Sequence, residues 1–258
     1  MPRPSWIGLK NRDKKGAIRR LRDSHLKAYS HKQTIVACDA TNTKRECEEM
    51  QTGSTGLRSA TNRAIFLDRD GVINKNRADH VKSWAEFEFL PDVFDALRDL
   101  ATLDLPIIVI TNQGAIGRGM TTHEAVDDIH ARMLIAVQEQ GGRIDDVLYC
   151  PHKPEDRCDC RKPQPGLLKQ AAERWHLDLS QCFLVGDAET DIQAGQWVGC
   201  RSLLVLTGRG HAHHAEMFGV PTAQNLAAAA KLIRHTLDLG GDNVGLSVKY
   251  GSPFANSQ

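Results

Sequence analysis

At 258 residues, with 41% hydrophobic side chains and a net charge of +1, the chain can bury one sizeable core and is too short for a second full domain beside it. It contains no apolar run of about 18 residues, and its N-terminus lacks the apolar stretch of a secretion signal, which excludes a membrane-spanning helix and points to the cytoplasm. Charge is unevenly spread: residues 1–63 hold 14 Lys and Arg against 6 Asp and Glu, and the remainder 19 against 26. That first stretch shows no apolar periodicity long enough to bury a face, so it is read as a basic, mostly disordered extension.

From residue 64 short apolar runs alternate with helical periodicity. "AIFL" (64–67), "PIIVI" (106–110), "DVLY" (146–149), "CFLVG" (182–186) and "SLLVL" (202–206) have the character of strands buried on both faces. Between them, Pro91 opens a helix carrying Val93, Leu97 and Leu100. Thr121 with Glu124 forms a capping box ahead of Val126, Ile129 and Met133, closed by Gly141 and Gly142. Two more helices are expected at 165–175 and 189–197. The alternation predicts an α/β fold: a doubly wound, Rossmann-like parallel sheet over residues 64–239 with helices on both faces, followed by a tail at 240–258. In such folds ligands bind beyond the carboxyl ends of the strands.

Those ends carry chemistry. After the first strand stand Asp68 and Asp70, two apart and so on one side of an extended segment, with Gly71 permitting a sharp turn. After the second come Thr111, Asn112 and Gln113, and after the fourth come Asp187 and Asp191. Arg161 and Lys162 lie in between. Hard carboxylate oxygens suit Mg²⁺, while a hydroxyl and a lysine suit phosphoryl oxygens. Any one of these Asp residues reads as a solvated loop residue or cap; their coincidence at successive strand ends does not.

The stretch "YCPHKPEDRCDC" supplies Cys150, His152, Cys158 and Cys160, a Cys₃His set that fills a tetrahedral zinc and leaves no position open for water, as in a structural site. A redox pair, which would show C-x-x-C, and unpaired reduced thiols are the alternatives. The scattered Cys38, Cys47, Cys182 and Cys200 make no disulfide framework. The histidines His80, His123, His130 and His211–His214 are read as exposed.

"FLDRDG", "VITNQ", "RKPQPG" and "VGDAETD", in this order, resemble the four motifs of the haloacid dehalogenase superfamily of aspartyl-phosphate phosphatases. The resemblance implies that Asp68 is the nucleophile, ionised without help, and that Asp70 is the general acid and base, a role that needs a raised pKa, which nearby negative charge could supply. It implies Mg²⁺ held by Asp68, the Asp70 carbonyl and Asp187, with Asp191 in support. Thr111 and Lys162 then bind the transferring phosphoryl group. Asn112, Gln113, Arg118 and Arg161 complete the phosphate- and substrate-binding set, the two arginines for a second phosphate. "CPH…CDCRKPQPG" is similar to the capless, zinc-loop phosphatases of heptose bisphosphate and of histidinol phosphate. This implies no large cap domain and a monomer acting on a phosphorylated sugar, the 7-phosphate of a heptose 1,7-bisphosphate, with histidinol phosphate as the alternative. A zinc-knuckle module binding nucleic acid is the alternative from another class. It is disfavoured because only Trp6, Tyr29 and Tyr149 are available for base stacking.

Overall fold

The structure, a computed structural model, describes residues 62–209 and 212–238 together with a strand at Ile35–Ala37. Seven parallel strands form one sheet: β1 (Ile35–Ala37), β2 (Ile65–Leu67), β3 (Ile107–Asn112), β4 (Asp146–Cys150), β5 (Phe183–Gly186), β6 (Arg201–Val205) and β7 (Thr222–Ala223), in the order β1-β4-β3-β2-β5-β6-β7. Every residue of β2, β4 and β5 is buried, as a sheet covered on both faces requires. One face brings Phe66, Ile108, Ile110, Leu148 and Leu184 against Leu167, Leu168 and Ala171 of α3 (Gly166–Trp175). The alternating residues Ile65, Leu67, Ile107, Val109 and Val147 are equally hidden on the other.

The remaining helices are α1 (Val93–Ala101), α2 (His123–Glu139), α4 (Glu189–Trp197), α5 (Ala212–Phe218) and α6 (Leu226–Asp238). The order of strands decides where a ligand fits. From β2 the chain steps outward to β3 and β4, then returns to lay β5 against the other side of β2. Strand order therefore reverses at β2, and loops leaving the carboxyl ends of β2 and β5 diverge to open a crevice there.

The five expected strands are all present, and three features depart from expectation. The helix cap is Thr122, whose hydroxyl accepts from the Ala125 N–H at 3.3 Å; Thr121 instead donates to the Lys82 carbonyl at 3.0 Å. β7, α5 and α6 were not anticipated, because two residues of strand and an Ala-rich helix give little periodic signal. Ile35–Ala37, within the stretch read as an extension, pairs with Val147–Tyr149 at the sheet edge. The rest of 1–61, the 240–258 tail and His211 lie outside the described residues, as do the side chains of His213 and His214.

Among the described residues no cap domain interrupts the fold. The 74–92 segment between β2 and α1 holds one 3-10 turn, Trp84–Glu86, and is pinned by aromatic packing. The rings of Trp84 and Phe87 stack at 5.1 Å, Phe87 meets Phe89 at 5.0 Å, and Phe89 meets Phe94 of α1 at 4.5 Å.

Candidate active site

Asp68, Asp70, Thr111, Lys162 and Asp187, drawn from four distant segments, line one cavity of about 320 Å³ at the carboxyl ends of β2, β3 and β5. Lys162 lies at its base, 3% exposed, where a cation is tolerated only if paired. Its Nζ donates to Asp68 Oδ1 at 2.8 Å and to the Ile110 carbonyl at 2.8 Å, and meets Asp191 Oδ1 at 2.6 Å. Burial alone would push the lysine's pKa down; the two carboxylates outweigh it and raise it. The two carboxylates thus favour the ammonium form of Lys162.

Asp68 was expected to ionise unaided; in the folded chain its charge is opposed by burial and supported by Lys162. Burial pushes its carboxyl up to about 8; Lys162 opposes this, while Asp191, Asp187 and Asp70 add to it. Asp187 is raised to about 6, by burial first and then by Asp191. Its Oδ2 accepts from the Arg209 N–H at 2.8 Å and lies 3.5 Å from Asn76 Nδ2. Asp191, which also lines the cavity, turns its Oδ2 to the Ala188 N–H at 3.0 Å, capping α4.

Asp70 shows the opposite tendency. Burial favours its neutral form, but the Arg69 guanidinium and hydrogen bonds from Asn74, Gln113 and Arg69 outweigh that, and its pKa is lowered rather than raised. Asn74 Nδ2 donates to Oδ1 at 2.9 Å, Gln113 Nε2 to Oδ2 at 2.9 Å, and Arg69 NH2 to both oxygens at 3.1 and 2.8 Å. Sequence reasoning missed Arg69 and Asn74, both fully buried. An arginine between two cleft aspartates, with its side chain directed away from the cleft by strand alternation, was the available signal.

Asn112 and Gln113 serve as braces. Asn112 clamps the Lys162 main chain twice, accepting from its N–H at 3.1 Å and donating to its carbonyl at 3.0 Å. Gln113 ties Asp70 to Thr111, whose hydroxyl accepts its second amide contact at 2.9 Å and keeps its own hydrogen to donate. Arg161 lines the cavity and donates to the His152 carbonyl at 2.9 Å. Arg118, tied to the Gly114 carbonyl at 3.2 Å, is not among the lining residues. His80, at positive φ, joins Arg77 and Arg209 at the rim. His130 is wholly buried in α2, not exposed as expected.

Two glycines make room for Asp187. Gly71 turns at φ +95, and a Cβ on Gly208 would stand 1.9 Å from Asp187 Oδ2. The carboxylate is thus held by backbone that tolerates no side chain.

Two groups have the composition of metal sites. Three buried carboxylates, Asp68, Asp187 and Asp191, gather near the buried ammonium of Lys162, while the partly exposed Asp70 is paired with Arg69. A divalent ion beside Asp68 and Asp187, which with Asp191 form one cluster of oxygens, would balance the excess. In the second group Cys150 Sγ lies 3.6 Å from both His152 Nδ1 and Cys158 Sγ, and Cys160 Sγ lies 3.4 Å from each of the same two atoms. Ligands about 2.3 Å from a tetrahedral zinc sit roughly 3.8 Å apart, so the four atoms outline that polyhedron with slight contraction.

Comparison with known proteins gives one family model and many relatives. The HAD-hydrolase-like model matches residues 159–230. The D-glycero-beta-D-manno-heptose-1,7-bisphosphate 7-phosphatase of Pseudomonas aeruginosa is 42% identical over 146 residues, 57% of this chain and 82% of the relative. That of Bordetella bronchiseptica is 38% identical over 170 residues, 65% and 95%. Among solved structures, the D,D-heptose 1,7-bisphosphate phosphatase from B. bronchiseptica, complexed with magnesium and phosphate, aligns with a TM-score of 0.63 at 36% identity, covering 67% of this chain and 98% of that one.

Proposed function

Because the chain belongs to the heptose-bisphosphate phosphatase family of haloacid dehalogenase-like hydrolases, we propose that it is a Mg²⁺-dependent phosphatase removing the 7-phosphate of D-glycero-D-manno-heptose 1,7-bisphosphate through a phosphorylated Asp68. The observation that carries the reading is the meeting of Asp68, Thr111, Lys162 and Asp187 around one cavity. In the first half-reaction an Asp68 oxygen attacks phosphorus as the bond to the sugar oxygen breaks, and Asp70 delivers a proton to that oxygen. In the second, water attacks the same phosphorus, Asp70 takes its proton, and the Asp68 carboxylate departs. Thr111 donates its hydroxyl hydrogen and Lys162 its charge to the phosphoryl oxygens. Magnesium, held by Asp68, Asp187 and the Asp70 carbonyl, supplies positive charge there.

The lowered pKa of Asp70 bears on this cycle. It favours the base form at rest, so the proton used in the first half-reaction must be favoured by the arriving phosphate dianion, whose charge opposes that of Arg69.

Zinc on Cys150, His152, Cys158 and Cys160 would fix the loop that ends at Arg161 and Lys162, with Arg161 and Arg118 directed at the second phosphate of the substrate. The supporting observation is that both guanidinium groups border Gly114, at the junction of the zinc loop and the 113–119 turn. Residues 64–239 form the phosphatase domain in this reading, acting as a cytoplasmic monomer without nucleic acid. No described helix is long and apolar enough to cross a membrane.

The test is a direct competition. Pure protein with Mg²⁺ is expected to prefer the heptose bisphosphate over histidinol phosphate by more than about tenfold in kcat/KM. The reverse preference would reassign the substrate while leaving the chemistry intact. A second expectation concerns the Asp187 cradle. Gly208→Ala leaves the backbone conformation accessible but forces the carboxylate aside. It should lower turnover by about tenfold or more and raise the magnesium needed for half-maximal rate, both read from a Mg²⁺ titration.

A further inference from the structure

We propose that His130 is a positioning residue for Asp70: as a hydrogen-bond acceptor it fixes the Arg69 guanidinium, which in turn fixes the carboxylate that serves the leaving group. The inference rests on the acid and base role of Asp70 given above and extends it to a residue of α2 that does not line the cavity. Arg69 NH1 lies 3.0 Å from His130 Nε2, and both side chains are fully buried. A guanidinium has no acceptor, so Nε2 must offer its lone pair, which fixes His130 as the neutral tautomer carrying its hydrogen on Nδ1. Burial first, and then the Arg69 charge, hold its pKa well below the usual value, in keeping with that assignment.

The arrangement is costly unless it serves something. His130 Nδ1 and Arg69 Nε are buried without a hydrogen-bond partner. Its neighbours on the same helix face, Val126, Ile129, Met133 and Val137, are apolar, and a leucine at 130 would continue them without an orphaned N–H. What the imidazole adds is one directional contact. With NH1 held by His130, NH2 is left to reach Asp70 at 2.8 Å and Gln113 Oε1 at 3.0 Å. The Tyr149 ring, 5.4 Å from the imidazole, and the Phe87 ring, 6.0 Å from the guanidinium carbon, close off other orientations.

A leaving-group comparison separates positioning from general destabilisation. A sugar alkoxide needs a proton as its bond to phosphorus breaks, whereas the aryl oxide of p-nitrophenyl phosphate leaves without one. kcat/KM reports the first bond cleavage for either substrate. His130→Phe, which lacks an acceptor, should lower kcat/KM for the sugar bisphosphate by about tenfold or more and for the aryl phosphate by less than about threefold. His130→Gln, whose amide oxygen can accept from Arg69, should recover the sugar activity to within about threefold of wild type; His130→Leu serves as the acceptor-free variant if phenylalanine does not fit. Equal losses on both substrates, or full activity without an acceptor at 130, would overturn the proposal. Asp70→Asn is the control: if it shows the leaving-group split and His130→Phe does not, the role of His130 alone fails. If Asp70→Asn shows no split, the acid assignment itself is overturned, and the positioning role with it.

Discussion

Asp68→Asn is expected to reduce phosphate release by on the order of 10⁴-fold or more while leaving the folded protein at least as stable as wild type. The two halves of that expectation have one origin. The carboxylate is pushed up to about 8 because burial and three neighbouring carboxylates resist its charge, with only Lys162 opposing them. A neutral amide of the same shape relieves that resistance and still accepts from Lys162 Nζ, so without magnesium the melting temperature should hold or rise. Activity is lost because the amide oxygen cannot displace a sugar alkoxide from phosphorus. Zinc content should be unchanged, since Asp68 is no part of the Cys₃His group. The measurements are phosphate release, calorimetry and metal analysis on one preparation. A variant that still turned over at a tenth of the wild-type rate would remove the covalent step.

Cys158→Ser is expected to abolish zinc binding, to lower the melting temperature by about 10 °C, and to cut turnover by at least tenfold. Cys158 is the least buried of the three thiols, so serine there disturbs packing least and the effect reports the metal. Structural zinc in small motifs is worth on the order of 10 kcal/mol, part of which orders the loop; a net loss of about 3 kcal/mol, at roughly 2–4 °C per kcal/mol for a domain of this size, gives the stated shift. Turnover suffers because Arg161 hangs from the His152 carbonyl and Lys162 follows it directly. The Asn112 clamp on the Lys162 main chain limits the damage, which is why the expected loss is tens rather than thousands. Unaltered melting and rate in a zinc-free variant would make the cluster irrelevant to the site.

The elements legible in the sequence were those with a strong local signal. Five apolar runs announced five buried strands, and residues immediately after them announced the cavity, because a parallel α/β sheet places ligands there whatever its sequence. Asp68, Thr111 and Asp187 were found by that rule, and Lys162 by the basic pair that follows the cysteine cluster. What stayed hidden was set by contacts distant along the chain. Arg69 reaches His130 across 61 positions, and Asn112 reaches Lys162 across 50. No periodicity records such pairings. The protonation tendencies of Asp68 and Asp70 were not legible for the same reason: each depends on neighbouring charges that only the folded chain brings together. The helix start at Thr122 rather than Thr121 shows the usual ambiguity between adjacent capping residues.

The carboxylates assigned to bond making hang from strand ends in the middle of the sheet, whereas Arg77 and His80 approach from a loop anchored elsewhere, in the aromatic stack. Bond-making carboxylates and the rim thus enter the cavity from different parts of the chain. A designer seeking a different phosphate ester has a short rim to diversify while the floor beneath it stays as it is.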